Sequence, residues 1–163
     1  MWVADLQNGN YRNPVLYADY SDPDAIRVGE DYFMIASSFS NSPALPVLHS
    51  KDLVNWKVIN YCLKHVPEFR YNNPIHGCGV WAPSIRYHEG TYYVCFPMPD
   101  EGIYMTTTKD PWGEWSKPVN IRPGAGWIDP CPFWDDDGKA YLVAGVAKSR
   151  IGSVSYTHLR AHE

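Results

Sequence analysis

One unit of pattern returns three times along the chain, and it limits the fold more than any other feature. The unit is a proline, an apolar strand, a polar turn with acidic residues and glycine, and an aromatic-led strand. It is seen in "DPDAIRVGEDYFMIAS" from Asp22, "APSIRYHEGTYYVCFP" from Ala82 and "DPCPFWDDDGKAYLVAG" from Asp129. The turns "VGED", "HEG" and "DDDG" supply glycine where a tight hairpin needs positive φ. A second half-unit also recurs, in "LHSKDLVNWKVIN" and "YMTTTKDPWGEWSKPVN". Each sets Lys-Asp in a turn and leads to a Trp, Trp56 or Trp115, expected in the strand that follows.

Four strands per unit, in units of roughly 50 to 60 residues, fit the blades of a β-propeller. No sustained 3.6-residue amphipathic pattern is present, which excludes a helical solenoid. A β-sandwich is the alternative that patterning leaves open. On this count the chain holds two blades and the opening strands of a third. Ring closure is what removes exposed strand edges in a propeller, so the chain is expected to be part of a longer protein. Residues 1–152 are read as the N-terminal part of the propeller. In residues 153–163, "SVSYTHLRAHE", the strand-turn rhythm stops, and this tail is expected to be non-native.

Composition narrows the function. The formal charge is −4 with no run of like charge, which argues against nucleic acid as a partner, since that needs a basic face. No stretch approaches the roughly 18 apolar residues of a membrane span, so no membrane partner is expected. The N-terminus "MWVADLQNGNYRNP" has neither the basic start nor the apolar core of a signal peptide. Cys62, Cys78, Cys95 and Cys131 show no C-x-x-C spacing and read as buried free thiols. Aromatic residues make up 15% of the chain. That number suits a β-rich core, and it also suits a sugar-binding cleft, where the apolar C–H faces of a sugar stack on aromatic rings.

Aligning the three units puts Asp22, Ala82 and Asp129 at the same place, the start of the innermost strand of a blade, which opens onto the central pocket. An Asp-Pro can simply cap the entry to a strand, with Pro fixing φ and Asp bonding nearby N–H groups. A purely structural turn would serve all three blades alike, so the Ala-Pro of the middle blade argues for a local task at Asp22 and Asp129. Asp19 and Asp24 read as supporting or turn residues. Asp31, Asp135, Asp136 and Asp137 read as solvated or turn-forming.

Other chemistries fall away. "DDDG" lacks the alternating acids and terminal Glu of an EF-hand loop. His49, His65, His76 and His88 have no ligand spacing and read as surface or packed residues, so no metal ligand is assigned. No G-x-S-x-G or phosphate-cradling glycine loop is present. A carboxylate pair in an aromatic-lined pocket is the machinery of glycoside hydrolysis, in which one group protonates the leaving oxygen and another activates water. In an inverting enzyme that pair stands roughly 6.5 to 9.5 Å apart. A third carboxylate can keep the acid protonated, because negative charge nearby raises its pKa.

Four separated motifs in order resemble glycoside hydrolase family 43, the five-bladed propeller β-xylosidases and α-L-arabinofuranosidases. They are "NPVLYADYSDPDAIRVGEDYF", "LHSKDLVNW", "GVWAPSIRYHEGTYYV" and "GWIDPCPFWDDDGKAYLV". The resemblance implies an inverting glycosidase acting on terminal xylosyl or arabinofuranosyl linkages of plant polysaccharides or oligosaccharides. It puts Asp22 at the family's general base and Asp129 at the aspartate that tunes and orients the acid. The acid is a Glu of a later blade, usually in Glu-Gly-Pro, which has no counterpart here, nor has a late substrate-binding Arg. Glu89, Glu101 and Glu114 precede Asp129, and Glu163 lies in the suspect tail.

Phe39 and Trp81 match apolar walls of the subsite for the cleaved sugar, though Trp81 suits core packing between blades equally well. Ile128 stands where some members have Phe. Many members hold an axial calcium through ligands expected outside this chain, so no cofactor is assigned within it. The chain alone is expected to be inactive, and the alternative reading is a propeller that binds carbohydrate without hydrolysing it.

Overall fold

The computed structural model describes residues 2–147; the expected non-native tail lies outside the described residues. Among the described residues ten strands form three separate sheets, taken strictly in sequence order. The first sheet is an antiparallel meander of β1 (Asp24–Val28), β2 (Asp31–Ile35), β3 (Ala44–Ser50) and β4 (Lys57–Leu63). The second repeats it with β5 (Ser84–His88), β6 (Thr91–Met98), β7 (Gly102–Thr108) and β8 (Val119–Pro123). The third described sheet pairs β9 (Trp127–Trp134) with β10 (Ala140–Val146). Strands are never exchanged between sheets, so the propeller pattern holds and the sandwich alternative does not. Among the described residues the helical content is one turn of 3-10 helix, Phe69–Asn72, in the connection between the two full sheets.

The hairpins follow the turn chemistry of the sequence. Gly29 turns β1 into β2 at φ 63°, and Glu89 and Gly90 turn β5 into β6 at φ 45° and 78°. Between β9 and β10 the Asp135 N–H bonds to Lys139 O at 3.1 Å, and Gly138 takes φ 78°. One expectation shifts. Trp56 and Trp115 lie just ahead of β4 and β8, not within them. The Trp56 indole closes the preceding turn by donating to Leu53 O at 2.9 Å, and Pro118, with no N–H to offer a ladder, delays the start of β8.

The core lies between the first two sheets. Phe33, Ile35, Leu45, Val47, Val80, Ile85, Val94, Phe96 and Met98 are all essentially solvent-free within it. Aromatic edges lock the sheets together: Phe33 meets Tyr92 and Trp112 edge-on, each at 5.3 Å between centroids. His49 packs on Trp112 at 5.0 Å while its Nε2 pairs with Asp31 at 2.6 Å, so it is a packed histidine. Part of the aromatic content is thus spent on holding blades together. The first strands of the three sheets also meet, β1 packing against β5 and β5 against β9.

Candidate active site

Because each sheet is a meander, its strands alternate in direction, and one face of the molecule collects the starts of β1, β5 and β9. The same face collects the returns through residues 36–43, 64–83, 99–101 and 124–126. Asp22, Ala82 and Asp129 all stand on it. The opposite face carries the short turns at Gly29, Gly90 and Gly138.

All three X-Pro steps prove to be one-residue bulges. In the third sheet Cys131 pairs with Val143 and Ile128 with Gly145, so Asp129-Pro130 faces the single residue Ala144. In the first sheet Asp24 pairs with Ile35, but Ser37 N–H bonds to Ser21 O at 2.9 Å, so Asp22-Pro23 faces Ala36 alone. In the second, Ser84 pairs with Cys95 while Trp81 N–H bonds to Pro97 O at 3.0 Å, so Ala82-Pro83 faces Phe96. Bulges re-aim a side chain at a sheet end and are concentrated beside functional sites. The backbone divides the three: Asp22 and Asp129 take φ 48° and 50°, and Ala82 is not among the positive-φ residues. A residue before proline ordinarily stays extended, and positive φ is strained for a residue with a side chain. Two aspartates therefore share a conformation that the otherwise equivalent Ala82 does not take.

Asp22 is anchored through one oxygen. Its Oδ2 accepts from Ser21 Oγ at 2.9 Å and from Ser37 Oγ at 3.2 Å. No described residue hydrogen-bonds to its Oδ1. Asp129 reaches solvent by surface area, yet it is crowded enough that desolvation raises its carboxyl above the usual aspartate range, with the negative charge of Asp22 as the second cause. The charge of Asp22 in the first blade thus reaches the repeat-equivalent aspartate of the third.

Phe39 and Trp81 flank the contact between the first two blades. Phe39 and Val80 exchange backbone hydrogen bonds of 2.8 and 3.0 Å. Trp81 is half-buried, its indole N–H donating to Gly77 O at 3.1 Å. Phe39 also walls a cavity of about 610 Å³ with Pro74, Ile75 and His76, whose lining does not include either aspartate. Ile128 is half-buried one residue before Asp129, opposite Gly145.

Gly79 makes the Phe39 contact feasible. A Cβ on it would stand 2.3 Å from Phe39 O, and its φ is 92°. Gly79→Ala is therefore expected to destabilise the protein by more than about 1 kcal/mol and to displace Phe39. Equilibrium urea denaturation checks this, and an unchanged midpoint would refute it.

Of the two roles expected of Asp24, supporting or turn-forming, the structure gives the supporting one. Its Oδ2 accepts from Ile85 N–H at 2.9 Å and from the Arg86 guanidinium at 2.6 Å, both in the next blade. A link across 62 residues leaves no local trace in the sequence. Ser37, Gly79 and Arg86 were likewise not singled out by sequence reasoning; of the three, only Gly79, the second glycine in "GCGVW", offered a signal, since glycine permits close backbone approach.

The described glutamates have other partners or lie elsewhere. Glu101 is tied to Arg70 and to the Tyr71 hydroxyl at 3.2 Å, Glu68 accepts from the Tyr104 hydroxyl at 2.8 Å, and Glu30 and Glu89 sit in turns of the opposite face. Glu114 lies in the β7–β8 connection, also on that face. Among the described residues no three His, Cys, Asp or Glu side chains group as a metal site.

Comparison with known proteins gives a consistent result. A family model described as glycosyl hydrolases family 43 matches residues 11–162. A putative beta-xylosidase of Xylanibacter ruminicola is 45% identical over 140 residues, covering 85% of this chain and 26% of that protein. The non-reducing end alpha-L-arabinofuranosidase BoGH43B of Bacteroides ovatus is 39% identical over 155 residues, covering 88% of this chain and 28% of that protein. Among solved structures, the GH43 BlXynB protein of Bacillus licheniformis superposes with TM-score 0.72 at 37% identity, over 83% of this chain and 30% of that one. The xylan beta-1,4-xylosidase of Bacillus halodurans C-125 does so with TM-score 0.70 at 29% identity, over 87% and 28%. The chain spans about a quarter of the length of the curated relatives it matches.

Proposed function

Because this chain belongs to glycosyl hydrolases family 43, whose enzymes are five-bladed β-propellers, we propose that the protein carrying it is an inverting glycosidase. Its substrates are terminal xylosyl or arabinofuranosyl linkages of plant-derived polysaccharides or oligosaccharides. The observation that carries the reading is the pair of bulged, positive-φ aspartates at the mouths of β1 and β9.

In this reading Asp22 is the general base. Its Oδ2 is held by two serine hydroxyls, which leaves Oδ1 to take the proton of the water that attacks the anomeric carbon. Asp129 orients the general acid and keeps it protonated by adding negative charge beside it. Phe39, Trp81 and Ile128 wall the subsite of the cleaved sugar, where apolar faces of the ring stack. The described residues set no glutamate beside the two aspartates, so the 163-residue chain by itself is proposed to lack turnover.

The full-length protein, incubated with aryl β-xyloside and aryl α-L-arabinofuranoside, tests the reading. Proton NMR of the first-formed sugar is expected to show inverted anomeric configuration. A retained configuration would exclude the mechanism, and binding without hydrolysis would leave a carbohydrate-binding propeller.

A further inference from the structure

One guanidinium joins the first strands of all three blades. Arg86, in β5, donates from Nη1 to Asp24 Oδ2 at 2.6 Å and from Nη2 to Cys131 Sγ at 3.0 Å. Its Nη1 also reaches Ile85 O at 2.6 Å, and Ile85 N–H adds a 2.9 Å bond to the same Asp24 oxygen. Asp24 opens β1 and Cys131 lies in β9. Each stands two residues after the aspartate of an Asp-Pro, so the two partners of Arg86 occupy matching positions behind Asp22 and Asp129. The only residue between is a proline, whose ring fixes φ, so a shift of Asp24 or Cys131 passes on through one stiff link. The guanidinium is planar and holds its donors in a rigid fork, which fixes both directions at once.

We propose that Arg86 is a positioning residue for the carboxylate pair, setting the separation of Asp22 from Asp129 by gripping the side chains two positions behind each. What the pair does rests on the glycosidase reading above; its separation does not. The hydrogen bonds of Arg86 go to neither aspartate. Cys95, on β6, is the other titratable neighbour of Cys131, and burial pushes its thiol up to about 12, so it adds no charge near neutral pH. Among the described residues the charged groups at this junction are therefore Asp24, Arg86, Asp22 and Asp129.

The test is made on the full-length protein with Arg86→Gln, Arg86→Lys and Cys131→Ala. Aspartate carboxyls are titrated by carbon-13 NMR, with Asp129 assigned from Asp129→Asn. In R86Q the pair parts, the charge of Asp22 recedes, and Asp129 is expected to titrate at lower pH than in the wild type. Mere removal of a positive charge would move it the opposite way, and a tie that only fastened the blades would lower the melting temperature without moving it. With an aryl glycoside, kcat is expected to fall about 10- to 100-fold with KM changed by no more than about twofold, and R86K to recover part of the loss.

An Asp129 titration that is unchanged or raised in R86Q overturns the proposal. If R86Q does not fold, C131A cuts the grip on β9 without leaving a buried charge unpaired. It is expected to lower the Asp129 titration in the same direction by a smaller amount, and an unchanged value there also overturns the proposal. A wild-type protein that hydrolyses no glycoside would defeat the glycosidase reading, and the titration would still decide the role of Arg86.

Discussion

Asp22→Ala in the full-length protein is expected to lower kcat/KM by about 10²- to 10⁴-fold, the span that a positioned general base contributes. KM should change little, because in the proposed role the group acts on water and not on the sugar. Full turnover in D22A would remove Asp22 from the base role and leave its serine-anchored carboxylate as a strand cap. A fall in melting temperature alone, with kcat intact, would say the same.

Asp129→Asn should separate stability from activity. Desolvation and the charge of Asp22 hold the Asp129 carboxyl above its ordinary value of 3.8. The folded protein therefore binds this proton more tightly than the unfolded chain does. Stability linked to the group is fully present below the unfolded value and is lost as pH rises through the folded one. Near neutral pH the ionised Asp129 is thus a cost to the fold. Asparagine, of the same shape and uncharged, is expected to raise the melting temperature at pH 7 and to lose that advantage as pH falls below about 3.8. Over the same comparison kcat/KM should drop by about 10- to 100-fold, as the acid loses its neighbouring charge and its orientation. Equal melting temperatures for wild type and D129N across pH 3 to 7 would contradict the linkage.

Much of the fold was legible because it is local. Strand, turn and strand are written in adjacent residues, and glycines at 29, 90 and 138 mark the hairpins where positive φ occurs. The equivalence of Asp22 and Asp129 was legible because repetition allows one blade to be read against another. Their backbone conformation was not, since an Asp-Pro step reads as extended by ordinary sterics, and Ala82 keeps the same bulge without positive φ. Asp24 reads from its neighbours alone as a supporting or turn residue, with nothing to say what it supports. Its partner Arg86 lies in another blade, and only the docking of β1 on β5 brings the two together. The tryptophans ahead of β4 and β8 show the same limit on a smaller scale, with a side-chain hydrogen bond and a proline shifting the strand boundary.

The residue facing each bulge bears on how such blades diverge after duplication. Asp22-Pro23 and Asp129-Pro130 face Ala36 and Ala144, whereas Ala82-Pro83 faces Phe96. The blades keep the same bulge at the same place, and the presence or absence of a carboxylate goes with an exchange between a small and a large residue across it. A copied blade can therefore acquire or shed a carboxylate through changes at two facing positions, with its register kept. Inheritance in this architecture acts on slots, and a blade's ancestry and its chemistry can be read separately.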